Sequence, residues 1–585
     1  MKSHQNPSFD KAPRRLALVW ALLLLPLPFD GLRAEAVLAG LDDRQEQNVR
    51  ALLPLAGADC DSARWRVERL YRDADNSIHE GLRALGYYNA KISKALLWEK
   101  DCWRAEFDIQ VGAPVRYGDV NIDVAGAAAS DPVFQNRIAN GRPVTGDAFD
   151  HGQYSSYKST VLKAASNTGY FDATLSTSKV VVDKAAATAN LQMQIDSGDK
   201  YKFGAVNFSE GILHDYVLQG YTDIRAGDPY LAQSISDLYE ALNGSSYFSS
   251  VSIKTDPLDT ENKIVPVTVE LIPAKRRVYS AGGGFSTDTG PHGRLGYTDR
   301  RINQKGHQFD SKLFASEVLS ELNASYRWPK RDPRREWFSI VTGFQHEKTD
   351  TSEQDSFKLG FLRSKNLGKN WLQTRYVDYA YEDYTVGDQS SISELIILGT
   401  NWETAVGRAL SRATRGYRLS LDLRGASDKL GSDTTFMQVR AKAKFVRSLG
   451  EKVRVLARTG IGVTVKDDFE DLPASVRFFA GGDNSVRGYG FEDIGPLNDD
   501  GDVIGGSYRI DGSIEIDWLF REQWALALFV DSGDAFNNTE LDLKTGAGFG
   551  LRWYSPVGPI RLDFAHPFDD PDKDFRIHIS LGPDL

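Results

Sequence analysis

From about Arg277 to Leu585 the chain changes character with a period of two, and that period constrains the fold more than anything else in the sequence. Between Ser507 and Trp518 the odd positions are Ser507, Arg509, Asp511, Ser513, Glu515 and Asp517, and the even ones Tyr508, Ile510, Gly512, Ile514, Ile516 and Trp518. The next run sets Trp524, Leu526, Leu528 and Val530 against Ala525, Ala527, Phe529 and Asp531. A third sets Thr545, Ala547, Phe549, Leu551 and Trp553 against Gly546, Gly548, Gly550 and Arg552. Roughly sixteen such segments, many about ten residues long, are separated by polar or Gly/Pro/Asp-containing turns. A soluble sheet with one wet face also alternates, but the number and length of the segments suit a closed barrel. There every backbone group pairs inside the sheet and the apolar face meets lipid. Trp328, Trp337, Trp371, Trp518, Trp524 and Trp553 lie near segment ends, where interfacial girdles sit.

At the amino terminus Lys11, Arg14 and Arg15 precede an apolar run from Leu16 to about Pro28, followed by Ala34-Glu35-Ala36. This reads as a secretory signal peptide cut after Ala36. No other stretch reaches the eighteen or so apolar residues of a membrane helix. Export, absence of spanning helices and amphipathic strands together point to an outer membrane of the bacterial type. The formal net charge of -10 and the lack of a basic run argue against nucleic acid as a partner. The two cysteines, Cys60 and Cys102, either form one disulfide in an oxidising compartment or lie buried separately; no Cys/His spacing suggests zinc.

Between leader and barrel the sequence repeats at intervals of about 85 residues. The segment from Ile109 to Ile122 aligns without gaps on that from Ile195 to Phe208. Gly86-Tyr87-Tyr88, Gly169-Tyr170-Phe171 and Ser246-Tyr247-Phe248 each close an amphipathic helix. The helices carry Ile78, Leu82 and Leu85, then Tyr154, Tyr157, Val161 and Leu162, then Leu231, Ile235, Leu238 and Leu242, at three- and four-residue steps. Each unit therefore reads as a strand, helices and two strands, with the aromatic pairs in the core. The expected layout is a leader over 1–36, α+β repeats over 37–114, 115–199 and 200–275, and an all-β transmembrane barrel of about 16 antiparallel strands over 276–585.

Within the barrel region Gly481-Gly482-Asp483-Asn484-Ser485-Val486-Arg487-Gly488-Tyr489 interrupts the alternation as a charged, glycine-flanked loop. Three repeats, the barrel and this loop resemble the POTRA-plus-barrel proteins that insert or export other proteins at the outer membrane. Phe529-Val530-Asp531-Ser532-Gly533 and the segment from Ser555 to Asp563 resemble that family's last strands, in order. Three repeats are similar to the TamA family, the outer-membrane subunit of the translocation and assembly module; BamA-type insertases carry five, two-partner secretion transporters two. The ending on Leu585 and the cysteine pair depart from the pattern.

The resemblance implies that Arg487 reaches carboxylates on the wall, and by alternation Glu515 and Asp531 point inward on neighbouring strands. Gly546, Gly548 and Gly550, inward by phase, are expected to leave room for the loop backbone. Arg487 then either braces the fold or gates it. His566 and His578 are expected to line the lumen. A barrel seam is expected where Gly282, Gly283 and Gly284 on the first strand face a last strand followed by Gly582 and Pro583. The resemblance further implies nascent barrel or autotransporter clients, outer-membrane lipid and a TamB-type inner-membrane partner. A two-partner secretion transporter and a passive porin are the alternatives. Nothing in the sequence matches a Gly-x-Ser-x-Gly elbow, a His-Glu-x-x-His or a P-loop, so neither enzyme chemistry nor a cofactor is expected.

Overall fold

Period-three-and-four faces stacked on period-two strands demand a helix layer over a sheet. The computed structural model shows this arrangement three times before the barrel. It describes residues 34–581 apart from 100–101, 210, 257, 350–351, 369, 408–411, 538–540, 556–557 and 571–574. The apolar leader, Gly582 and Pro583 lie outside the described residues. The chain divides into two compact units between Lys200 and Tyr201.

In the first repeat the strand Glu35–Ala39 runs parallel to Cys102–Gln110, which pairs antiparallel with Lys91–Glu99. Asp42 caps the helix Asp43–Leu52 in a capping box with Gln45, and the helix Arg64–Ala84 follows. Val49, Val67, Ile78 and Leu82 pack on Ala105, Phe107 and Ile109 as one buried core. Glu35 and Ala36 pair with Arg104 and Ala105, so a cut after Ala36 would remove two ladder residues.

Cys60 and Cys102 form a disulfide with Cα atoms 4.5 Å apart and a sequence separation of 42. Closing a loop of that size restricts the unfolded chain by about 3–4 kcal/mol in the chain-entropy picture. Cys60→Ser should therefore lower the first repeat's stability by about that amount. Hydrogen exchange of the Arg64–Ala84 helix in the full chain checks this, and unchanged protection would contradict it.

The second repeat has the same plan, with Arg116–Ala125 parallel to Thr188–Asp196 and Thr174–Asp183 antiparallel to it. On its helix His151–Asn167 the packed face is Tyr154, Tyr157, Val161, Ala164 and Ala165. Leu162, counted on that face by its spacing, is 39% exposed; one residue step of about 100° carries it off the stripe. Asp131 caps the helix Pro132–Ala139 and takes the Lys200 ammonium at 2.7 Å and the Tyr170 hydroxyl at 2.8 Å. Burial works against its charge, yet these donors hold its carboxyl below the usual range.

The second unit begins with the third repeat, whose strand Lys202–Phe208 is parallel to Ile264–Pro273, with Phe248–Lys254 antiparallel to it. Leu238 and Leu242 of the helix Ala232–Asn243 are buried, while Leu231 is its cap rather than part of it. The barrel follows, a 16-stranded antiparallel sheet in chain order from Arg277–Ser286 to Arg576–Leu581. The two are joined by Tyr247, whose hydroxyl donates to the Gly306 carbonyl at 2.5 Å. The His214 amide donates to the Gln304 carbonyl at 2.9 Å, and Arg334 grips Asp223 through two nitrogens at 2.7 and 2.9 Å. Hydrogen bonds from Arg334 hold the Asp223 carboxyl below its ordinary value. Strands therefore enter the sheet at the repeat end, and every second turn returns there.

The alternation sorts the wall. Leu528 is 67% exposed and its neighbour Ala527 1%, and Ile514, Ile516, Val530 and Phe549 share the outward phase. Isolated apolar side chains on a surface need no explanation, but an outward band of them around a nearly closed wall is what lipid requires.

Candidate functional site

Between the eleventh strand, Val453–Lys466, and the twelfth, Tyr508–Arg521, the long turn at the end away from the third repeat folds back into the lumen. Its limbs pair through Phe478 with Gly506 and through Ala480 with Ile494. Val486 and Tyr489 bury with Phe478, Ala480 and Ile494 of the same loop and with Ala535 of the wall strand Trp524–Phe536 in a small core. Gly488 adopts φ +103°, and a side chain there would run into the backbone of His566 and Pro567. Gly482, at φ +91°, would direct one into the Asp288 carboxylate, and Gly481 has φ +102°. The Tyr489 hydroxyl lies 3.4 Å from the Asp569 carboxylate.

Arg487 is 5% exposed. Its Nε and Nη2 donate to the two oxygens of Asp531 at 2.7 and 2.9 Å, and its backbone N–H adds a bond to Oδ2 at 3.1 Å. Nη1 reaches Glu515 at 2.8 Å and Asp563 at 3.1 Å. Arg552 braces the far side of these carboxylates, donating to Glu515 at 2.9 and 3.1 Å and to Asp563 at 2.5 Å. Arg458 completes the set with Asp531 at 3.2 Å and with the Asp483 and Ser485 carbonyls, both at 2.9 Å. Three guanidiniums thus meet three carboxylates, and since Arg487, Arg552, Glu515, Asp531 and Asp563 are all buried, an unmatched charge among them would be costly. The Phe529 ring lies beneath, its centroid 3.5 Å from the Arg487 guanidinium carbon.

The three wall glycines divide their work. A side chain at Gly546 would strike the Arg487 carbonyl, so only this one makes room for the loop backbone. At Gly548 it would meet the Phe564 carbonyl and the Phe529 ring, and at Gly550 Asp563 and Arg552. The expectation that all three face the loop is corrected accordingly.

Alternation and resemblance did not mark Asp563, Arg552, Arg458 or Phe529 as partners of the loop, although each lies on the inward phase. Nor did they mark a latch at the loop tip. The Asp483 carboxylate accepts from the Ser286 and Thr287 hydroxyls at 2.9 Å each, at the end of the first strand. It also accepts from His578 Nδ1, on the last strand, at 2.6 Å. His578 Nε2 accepts the Gly488 amide at 2.9 Å, which places the ring proton on Nδ1. Asp288, Asp483 and His578 bring one ligand atom each within 4.8 Å of one another, the spacing a cation needs. Both oxygens of Asp483 and both nitrogens of His578 are already bonded, so the group acts as a latch. His566 departs from expectation: it pairs with Ala547 on the outward phase and its ring packs on Phe568 and Phe575 at 5.0 and 5.4 Å.

That latch spans the seam. Among the described residues no ladder joins the first strand to the last. Thr287 and Ile579 connect them, amide to carbonyl at 3.1 Å and amide to hydroxyl at 3.2 Å. Gly282, Gly283 and Gly284 pair with Arg294, Gly293 and His292 of the second strand on one side. Gly282 and Gly283 are exposed, and Gly284 leaves room for the His292 ring.

Repeats of strand, helices and strands ahead of a 16-stranded barrel, with an arginine loop clamped in its lumen, define a POTRA-plus-barrel protein. The Omp85 superfamily domain matches residues 279–584, and the chain belongs to that superfamily. The model of POTRA domain TamA domain 1 matches residues 35–111, and that of the surface antigen variable number repeat matches 201–273. The chain is 24% identical over 384 residues to the outer membrane protein assembly factor BamA of Nitratidesulfovibrio vulgaris strain Hildenborough, covering 61% of this chain and 48% of that relative. It is 21% identical over 415 residues to the protein of the same name from Neorickettsia risticii strain Illinois, covering 65% and 54%. The chain thus spans about half the length of the curated relatives it matches. BamA from Haemophilus ducreyi lacking POTRA domains 1–3 shares the fold, with a TM-score of 0.65 and 15% identity over 80% of this chain and 100% of that one.

Proposed function

We propose that this chain is an outer-membrane assembly factor that helps insert or translocate β-barrel and autotransporter proteins, its three repeats in the periplasm, and that it works with an inner-membrane-anchored TamB-type partner. The observation that carries this reading is the seam: a first strand with exposed Gly282 and Gly283, joined to the last strand at Thr287 and Ile579. Such an edge offers unpaired backbone donors and acceptors to an incoming strand of any sequence. The repeats present further edges, Lys91–Glu99, Thr174–Asp183 and Phe248–Lys254, each outermost in its sheet. A lumen filled by its own loop disfavours a porin, and the work needs backbone pairing rather than a catalytic group or cofactor. The number of repeats favours a TamA-type factor over a two-partner secretion transporter.

The test is reconstitution. The full chain in phospholipid vesicles is mixed with an unfolded outer-membrane barrel, and the rate at which the client becomes protease-resistant is followed. Acceleration over protein-free vesicles is expected, as is co-purification of a TamB-type partner from native membranes. Conductance without any client acceleration would favour the porin.

A further inference from the structure

We propose that the lipid-facing rim of the barrel at the repeat end seats anionic phospholipid headgroups on cross-strand arginine pairs. This rests on the reading of the barrel as membrane-spanning. Arg363 on the sixth strand, Ser352–Gly368, lies directly opposite Arg375 on the seventh, Trp371–Val386. Arg415 on the ninth strand, Arg415–Ala426, lies directly opposite Arg447 on the tenth, Phe436–Leu449. All four share the phase of the exposed Phe361, Val377, Phe445 and Leu449, so they lie on the outer surface. Strand direction puts both pairs at the end where the turn after the fourth strand, Leu319–Pro329, meets the third repeat through Arg334 and Asp223.

Like charges directly opposite each other repel. Arg363 shares Glu336 with Lys330, at 2.5 and 3.3 Å. No carboxylate among the described residues pairs with Arg375, Arg415 or Arg447, so Glu336 is the one carboxylate set against the four guanidiniums. A phosphodiester supplies a further anion, since its oxygens accept the paired N–H groups of two guanidiniums at once. What lies beside the arginines identifies the carrier as a lipid rather than an acidic protein. Trp328, Phe338 and Phe361 cluster with centroids 5.6 to 6.2 Å apart on the same surface, and Lys330 sits 5.5 Å over Phe338. Acyl chains lie over those rings while the phosphate meets the cations. The outer surface at the opposite end has the reverse sign, with Asp355 directly opposite Asp383 and Glu353 and Glu394 nearby in phase. An overall acidic chain has therefore placed these cations where one leaflet's headgroups lie.

The test uses the full chain in phosphatidylcholine vesicles containing a minority of phosphatidylglycerol, with lipids retained on the protein counted by native mass spectrometry. Wild type should retain the anionic lipid preferentially, and the preference should fall about fivefold for each arginine removed in Arg375→Gln and Arg447→Gln. Lys348→Gln, on the outer surface at the far end, should leave it unchanged. In pure phosphatidylcholine the arginine variants should unfold no more easily than wild type, since they relieve a repulsion. Equal retention of both lipids by an inserted, folded wild-type barrel would overturn the headgroup seats and leave the membrane barrel standing. Retention of an acidic protein there in place of lipid would also overturn them. A chain that never enters the vesicles would overturn both readings.

Discussion

Arg487→Ala should release the loop tip from the wall while the 16-stranded ladder persists. The ladder rests on backbone pairing that the substitution does not touch, whereas the loop is held by one guanidinium distributed over Asp531, Glu515 and Asp563. Its loss leaves three buried carboxylates facing two arginines, and breaking a buried pair from one side costs about 3–5 kcal/mol. Arg487→Lys should recover little, because one ammonium cannot make the two-pronged contact with Asp531 and also reach Glu515. The expected result is protease cleavage within residues 467–507 in the variant, a lowered unfolding midpoint and reduced client insertion. Leu526→Ala, on the lipid-facing side, serves as the comparison. Equal protease resistance and equal midpoints in Arg487→Ala and wild type would show that the loop is held by the small core around Val486 and Tyr489 instead.

The sheet was legible because period two is a one-dimensional signal. Once Leu526 and Leu528 face lipid, Ala527 and Asp531 must face inward, and register carries that phase from strand to strand. Glu515 and Asp531 could be read in this way. Asp563 and Arg552 are on the same inward phase, opposite Gly550 and Ala525, but alternation alone does not say which inward charges meet. Charge balance would have helped: Arg487 with two carboxylates leaves the lumen one positive charge short, which calls for another inward cation such as Arg552 or Arg458. The Asp483 latch was hidden for another reason. It joins Ser286, Thr287 and His578 across nearly the whole barrel sequence, and only closure of the sheet brings them together. His566 was misassigned because Pro567 and the turn after it obscure the phase, which only the pairing with Ala547 reveals.

The largest effect is expected at the seam itself. Thr287 and Ile579 are hydrogen-bonded, and continuing that antiparallel register two residues along each strand sets Phe285 opposite Leu581. Both are exposed on the outer surface, at 45% and 41%, so cysteines there disturb neither the lumen nor the latch. Under oxidising conditions Phe285→Cys with Leu581→Cys should close the seam covalently and abolish client insertion, and reductant should restore it. Each single cysteine variant should stay active, and all should keep the wild-type unfolding behaviour when reduced. With few hydrogen bonds to break, each worth about 0.5–1.5 kcal/mol net, the open state is within thermal reach, and a strand entering the edge regains the lost pairing. A covalent bond removes that route while leaving the exposed edges of the three repeats unchanged. A locked protein that still inserts clients at the wild-type rate would place the work on those repeat edges, and the barrel would then serve as their anchor.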